Sequence, residues 1–128
     1  MSSIKKRVLL IEDDAICLKQ EKHLLEKVGF QVDAVGTALE GLELLNAVEL
    51  EYDPQEFTAI FIDLHLPDLQ GESVANIIRK TEHQGKKVPI IAVTAYATEE
   101  NRLTLIKKGL TAIIEKPLTE QAILQIQI

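Results

Sequence analysis

Glu12, Asp63, Thr94 and Lys116 each stand within two residues of the end of a short apolar run, and Glu12 opens the acidic triplet Glu12-Asp13-Asp14. Carboxylates held together repel, so such a cluster must be protonated or neutralised by a cation. Oxygen ligands without thiols or paired histidines suit Mg2+, which keeps several waters and takes few carboxylates. An ion at Glu12, Asp13 and Asp63 would leave Asp63 nucleophilic, and an aspartate can attack phosphorus to form an acyl phosphate. Lys116 would stabilise charge on the transferring phosphoryl oxygens, and the Thr94 hydroxyl would bind one of them after transfer. A hydroxyl moving between two positions turns a covalent mark into a shape change. Each residue alone has a duller reading. Asp63 could be a solvated strand end, the triplet a helix cap (a role that suits Asp14), Thr94 a turn hydroxyl and Lys116 a surface lysine. Their conjunction at successive strand ends favours the chemistry.

The elements that must position them alternate along the chain. Val8–Ile11, Gln31–Val35, Ala59–Ile62, Pro89–Val93 and Ala112–Ile114 are short, Val/Ile-rich runs, as expected for strands covered on both faces. Helical patterns separate them. Ala15 to Val28 carries Ile16, Cys17, Leu24, Leu25 and Val28 and stops at Gly29. Thr37 and Glu40 form a capping-box pattern before Leu39, Leu42, Leu45 and Val48. Glu72 to Thr81 offers Val74, Ile77 and Ile78; Thr98 caps a segment ending at Lys107, Lys108 and Gly109; Thr119 caps a short last helix reaching Ile128. The stretch "NAVELEYDPQEF" either extends the second helix toward Tyr52 or yields to a loop before Pro54. Five strands alternating with five helices predict an α/β domain with a parallel sheet and helices on both faces. In such sheets, ligands bind outside the carboxyl ends of the strands, where all these residues fall.

Bulk properties narrow the options. A chain of 128 residues suits one domain, residues 1–128, with a single core. The net charge of -6 argues against direct nucleic-acid binding. The apolar run after the amino-terminal basic cluster is too short for a signal core, and no run approaches membrane-spanning length. The single Cys17 excludes an internal disulfide, fits a reducing compartment and makes the cytoplasm the default location. Cys17 itself reads as a small core residue, and His23 and His83 as surface residues on helices.

Taken in order, "VLLIEDD", "AIFIDLHLPDLQG", "IIAVTAYA" and "IIEKPLT" resemble the receiver domain of two-component response regulators along nearly the whole chain. The resemblance implies a flavodoxin-like, doubly wound sheet of order 2-1-3-4-5 with five helices on two faces. It implies that Asp63 takes a phosphoryl group from a histidine on a kinase or phosphotransfer protein. Mg2+, or Mn2+ in its place, would be held by Asp13 directly, Glu12 through water, Asp63 and the backbone carbonyl of His65. Thr94 matches the switch hydroxyl, Lys116 the lysine that pairs with the phosphoryl group, and Pro117 the family's cis-proline. Pro67 and Gly71 match the loop after the phosphoacceptor. One position departs: Ile113 stands where many relatives carry a Tyr or Phe that turns inward when the threonine moves, so any switch here must use other groups.

His65 and Tyr96 flank the site mouth on this reading. A lone histidine is poor evidence for a metal ligand, and a general-base role ranks below steric and electrostatic control of water, shared with Tyr96, which would set the phosphoryl lifetime. The output would be a changed surface around the fourth helix and fifth strand, read by another protein, with the chain a monomer or weak homodimer. The short last helix and "VTAYATEENR" resemble the receivers of hybrid sensor kinases. Two alternatives compete. A receiver could serve only as a binding module, although every phosphorylation residue is present. An aspartate-nucleophile phosphatase of the haloacid-dehalogenase type needs a second acid where His65 stands, and a cap domain for which there is no room.

Overall fold

A computed structural model describes residues 5–81, 87–126 and 128. The element order is β1 (Arg7–Ile11), α1 (Ala15–Val28), β2 (Gln31–Val35), α2 (Ala38–Glu49), β3 (Ala59–Asp63), α3 (Gly71–Thr81), β4 (Ile90–Thr94), α4 (Glu99–Lys107), β5 (Ala112–Glu115) and α5 (Glu120–Gln125). The strands form one parallel sheet in the order β2-β1-β3-β4-β5, the expected flavodoxin-like arrangement. The three central strands β1, β3 and β4 are buried at every residue, which is why they read as unbroken apolar runs. The edge strands β2 and β5 are only partly covered and read more weakly.

Successive side chains on a strand point to opposite faces, and the core divides accordingly. On one face Leu9, Ile11, Ile60, Ile62, Ile90 and Ala92 pack with Ala38 of α2, Val74 and Ile78 of α3, and Leu105 of α4. On the other, Val8, Leu10, Phe61, Ile91 and Val93 pack with Leu25 of α1 and Ile123 of α5. The predicted caps form: side-chain oxygens of Asp14, Thr37, Thr98 and Thr119 accept first-turn N–H groups, and Gly29 closes α1 at φ 117.

Several boundaries and assignments differ from the sequence reading. β3 and β4 run one residue past their apolar runs, because the parallel ladder continues through Asp63↔Val93 and Thr94↔Glu115. Asp63 and Thr94 are therefore fixed by sheet pairing. α2 yields to a turn: the Tyr52 and Asp53 amides both donate to the Ala47 carbonyl, and Glu51 takes φ 64. α5 ends at Gln125, short of Ile128, where Ile126 turns extended. Cys17 is half-buried, not a core residue, and Ile16 is 70% exposed. His23 is exposed as expected, while His83 lies outside the described residues. Among the described residues no helix is long and apolar enough to cross a membrane.

Two buried charges escaped the apolar pattern. Arg7, 6% exposed, closes the amino end of the sheet. Its Nε and Nη2 donate to the two carboxylate oxygens of Asp33 at 3.1 and 2.7 Å, and Nη1 donates to Asp53 at 2.8 Å and the Gln55 carbonyl at 2.8 Å. Its guanidinium carbon also lies 4.2 Å from the centroid of the Phe57 ring. Glu21 takes an inward position on α1, and burial, reinforced by the Glu12 carboxylate, pushes its carboxyl up to about 7.

Truncating Arg7 would strip a bidentate partner from Asp33 and one from Asp53, so Arg7→Ala is expected to lower unfolding free energy by about 2–4 kcal/mol in urea titrations. Glu21 gives a signed pH dependence. The native state keeps a proton that the unfolded chain, with its carboxyl near 4.5, releases. That contribution is complete below the unfolded value and is lost as pH rises to about 7. Glu21→Gln should therefore be more stable than the parent at pH 8 by on the order of 2 kcal/mol, a gap that closes by about pH 5. A gap independent of pH would contradict the assignment.

Candidate functional site

The carboxyl ends of β1, β3, β4 and β5 lie along one edge of the sheet, and their following residues build the site. Glu12 continues β1 by one step, its N–H donating to the Val35 carbonyl at 3.0 Å. Its side chain points inward, 1% exposed. The next two acids then part company. Asp14 turns outward to cap α1, its Oδ1 accepting the Ile16 and Cys17 amides at 2.9 Å each, while the Asp14 amide donates to Glu12 Oε2 at 3.1 Å. Asp13 stays exposed beside the cluster. Carboxylate oxygens of Glu12, Asp13 and Asp63 lie within 4.8 Å of one another.

Lys116 crosses from β5 to meet them. Its Nζ donates to Glu12 Oε1 at 2.7 Å and to Asp63 Oδ2 at 3.3 Å. The Lys116 amide donates to the Thr94 carbonyl at 2.7 Å, and a cis peptide bond joins Lys116 to Pro117. The other oxygen of Asp63, Oδ1, accepts the His65 amide at 3.0 Å. One oxygen of the aspartate is thus held by its own loop and the other faces the ammonium.

The electrostatics follow from burial and charge count. Burial pushes the Glu12 carboxyl up, against the bond from Lys116. For Lys116, burial works downward, but the bonded Glu12 and the charge of Asp63 outweigh it and hold the ammonium above its ordinary value. Lys116 pairs with two of the three clustered carboxylates, and its single charge leaves the cluster net negative. An oxygen-only set with surplus negative charge and open access through Asp13 fits a hard divalent cation.

The remaining predicted residues fall into two groups. Thr94 is 1% exposed at the end of β4, its Oγ1 accepting the Tyr96 amide at 3.2 Å. Gly71 is buried where a Cβ would stand 2.5 Å from the Asp63 carbonyl oxygen and 2.9 Å from Leu64 Cα, so only glycine lets α3 start against the back of Asp63. Ile113 is buried in the core below the edge. By contrast, Pro67, Pro117 and the His65 side chain are exposed, and Tyr96 is 73% exposed, with nothing fastening its ring to His65.

Two residues near the site went unread in the sequence. Glu21, on α1, has a carboxyl oxygen Oε1 that is buried with no hydrogen-bond partner among the described residues, and it senses the charge of Glu12. Asp68 reaches α2, its Oδ1 and Oδ2 accepting the Ala38 and Leu39 amides at 3.0 and 2.9 Å. Glu21 carried a weak signal, an acid at helical spacing among Leu18, Leu25 and Val28. Asp68 carried none, because its partners lie about thirty residues away.

Comparisons with known proteins agree with this edge. Among curated sequences, the chain is 30% identical to the sensor histidine kinase GacS of Pseudomonas protegens, over 98% of this chain and 13% of that protein. It is 34% identical to the transcription factor SKN7 of Chaetomium thermophilum, over 90% of this chain and 14% of that protein. The chain therefore spans only a small fraction of these relatives. Among solved structures, it is 30% identical to a CheY-like receiver domain protein from Methanospirillum hungatei, with TM-score 0.76, covering 95% of this chain and 90% of that one. It is also similar to the receiver domain of the sensor histidine kinase PA1611 from Pseudomonas aeruginosa, a structure with magnesium coordinated in its active-site cleft (27% identity, TM-score 0.76, 95% and 93% covered). With residues 8–127 matching the model of the response regulator receiver domain, this chain belongs to that family of two-component signalling domains.

Proposed function

We propose that the chain accepts a phosphoryl group from a phosphohistidine onto Asp63, and that the resulting change at the β4–α4 connection alters its protein contacts. The observation that carries this reading is the divided environment of Asp63: Oδ1 held by the His65 amide at 3.0 Å, Oδ2 facing Lys116 at 3.3 Å, with Glu12 and Asp13 alongside. The donor is a histidine kinase or a histidine phosphotransfer protein, a class supported by the histidine kinases among the relatives.

Asp13 and Asp63 would hold Mg2+ directly, Glu12 through water, and the His65 carbonyl would complete the protein's share. The bound ion supplies positive charge that offsets the carboxylates and the phosphoryl oxygens. The chain's own residues do the rest. Asp63 Oδ2 forms the new P–O bond while the P–N bond to the donor imidazole breaks. Lys116, already paired with that oxygen, stays near the charge as it spreads over the phosphoryl group. Glu12 keeps the ammonium in place from the buried side. Thr94 presents its hydroxyl from the neighbouring strand end. If that hydroxyl turns to a phosphoryl oxygen, it leaves the Tyr96 amide it now accepts and frees the start of the β4–α4 connection. With isoleucine at position 113, this released amide is the route by which the signal leaves the site.

Incubation with Mg2+ and acetyl phosphate should add one phosphoryl mass to the parent and none to Asp63→Asn, as read by intact mass spectrometry. Absence of an adduct, together with no spectral change on adding beryllofluoride, would point instead to a binding module that does not take phosphate. The exposed His65 side chain screens the mouth from water, so His65→Ala should speed loss of the phosphoryl group about three- to tenfold, equivalent to about 0.6–1.4 kcal/mol in barrier. An unchanged decay rate would rule out a role for the His65 side chain in setting the phosphoryl lifetime.

A further inference from the structure

The β3–α3 loop, residues 64–70, would supply the His65 carbonyl to the cation. Most of its fastenings are local. The His65 amide donates to Asp63, the Gly71 amide donates to the Leu64 carbonyl at 2.9 Å, and His65 bridges Gln70 across the loop. These bonds shape the loop, and burial of Leu64 and Leu66 in the core seats its first half on the sheet. Asp68, at the tip, adds a long-range hydrogen-bonded attachment, with both carboxylate oxygens on the first two amides of α2.

Helix α2 is itself registered to β1. Gly41 lies so close to the Ile11 side chain that a Cβ there would collide with Ile11 Cδ1. Ile11 is the last residue of β1, and Glu12 and Asp13 follow it. A continuous path thus runs from the acids after β1, through Ile11 and Gly41, along the first turn of α2, to Asp68 and the loop that carries His65. The bond pair is well suited to persist: the Ala38 and Leu39 amides hold the Asp68 carboxyl below its usual range, as the positive end of a helix should. Thr37 covers the next amide, that of Glu40, at 3.1 Å, so the two residues divide the helix end between them.

We infer that Asp68 is a positioning residue for the divalent-cation site: by clamping the β3–α3 loop to α2, it holds the His65 carbonyl at a fixed distance from the acids after β1. It touches neither cation nor phosphoryl group. Coupling of this kind is reciprocal, so filling the site also tightens the first turn of α2. The inference rests on the proposed phosphoacceptor reading.

Thr37→Ala provides the matched control, since it removes a cap bond from the same helix turn without touching the loop. In calorimetric Mg2+ titrations of the whole chain, Asp68→Ala should weaken binding about five- to tenfold, whereas Thr37→Ala should stay within about twofold of the parent at a similar loss of melting temperature. Asp68→Asn, which keeps one accepting oxygen, should fall between. In the parent, the Ala38 and Leu39 amide resonances should shift on Mg2+ addition. Should Asp68→Ala fail to fold, Asp68→Asn and those two resonances still decide the matter. Parent-like Mg2+ affinity in the Asp68 variants, an equal loss in Thr37→Ala, or unmoved resonances would each overturn the positioning role while leaving phosphorylation of Asp63 intact. A parent that neither binds Mg2+ nor takes a phosphoryl group would overturn the phosphoacceptor reading, and this inference with it.

Discussion

The contact on which the rest of the edge depends is the ammonium of Lys116 between the carboxylates of Glu12 and Asp63, at 2.7 and 3.3 Å. Glu12 is nearly inaccessible to water, and an isolated carboxylate in that position would be strongly disfavoured. One lysine partner makes the burial tolerable, but it does not balance the whole cluster. Buried ion pairs seldom add much net stability, because desolvation consumes most of the Coulombic gain. The arrangement therefore makes better sense as preorganisation. Negative charge is held in surplus where a cation can enter through Asp13, and one positive charge is held where a phosphoryl group would arrive.

The fold supports that imbalance by making the edge rigid from behind. Asp63 and Thr94 are the last paired residues of central strands, each held by the ladder on one side, Asp63 against Val93 and Thr94 against Glu115. Gly71 lets α3 begin against the Asp63 carbonyl, and Lys116 is tied to Thr94 through the backbone. At the opposite end of the sheet Arg7 gathers Asp33, Asp53 and the Gln55 carbonyl. There each carboxylate has its own donor on one guanidinium, whereas at the functional edge one ammonium serves Glu12 and Asp63 and leaves Asp13 unpaired by it. On the proposed reading, the same sheet keeps its polar satisfaction at one end and its reactivity at the other.

How much of this was legible in the sequence depended on the range of the interactions. The strand runs and the capping residues Asp14, Thr37, Thr98 and Thr119 act within a few positions of themselves, and they read correctly. The order of motifs carried the long-range placement of Glu12, Asp63, Thr94 and Lys116, because strand ends must share an edge once the sheet is parallel. Single side chains that cross between elements left no such trace. Arg7 stood in the amino-terminal basic cluster, and Glu21 and Asp68 went unread. Cys17 failed for the opposite reason: it sits one position off the inward stripe of α1, where Glu21 takes the place an apolar residue would fill.

Ile113 is the point at which this chain departs most from the pattern it resembles, and its surroundings suggest why that is compatible with signalling. A large side chain that swings needs a cavity to enter, but Ile113 is packed in the core with Ile90, Ala92 and Leu105. Close-packed interiors resist such motion. The looser material lies outward, where Thr94 Oγ1 is the acceptor for the Tyr96 amide and the Tyr96 ring stands in solvent. Exchanging that one hydrogen bond for a phosphoryl contact would alter the connection leading into α4 without disturbing the core beneath it. On the proposed reading, then, the chain separates a static interior from a switching surface. The element that changes state is a backbone amide in the connection, not a buried ring.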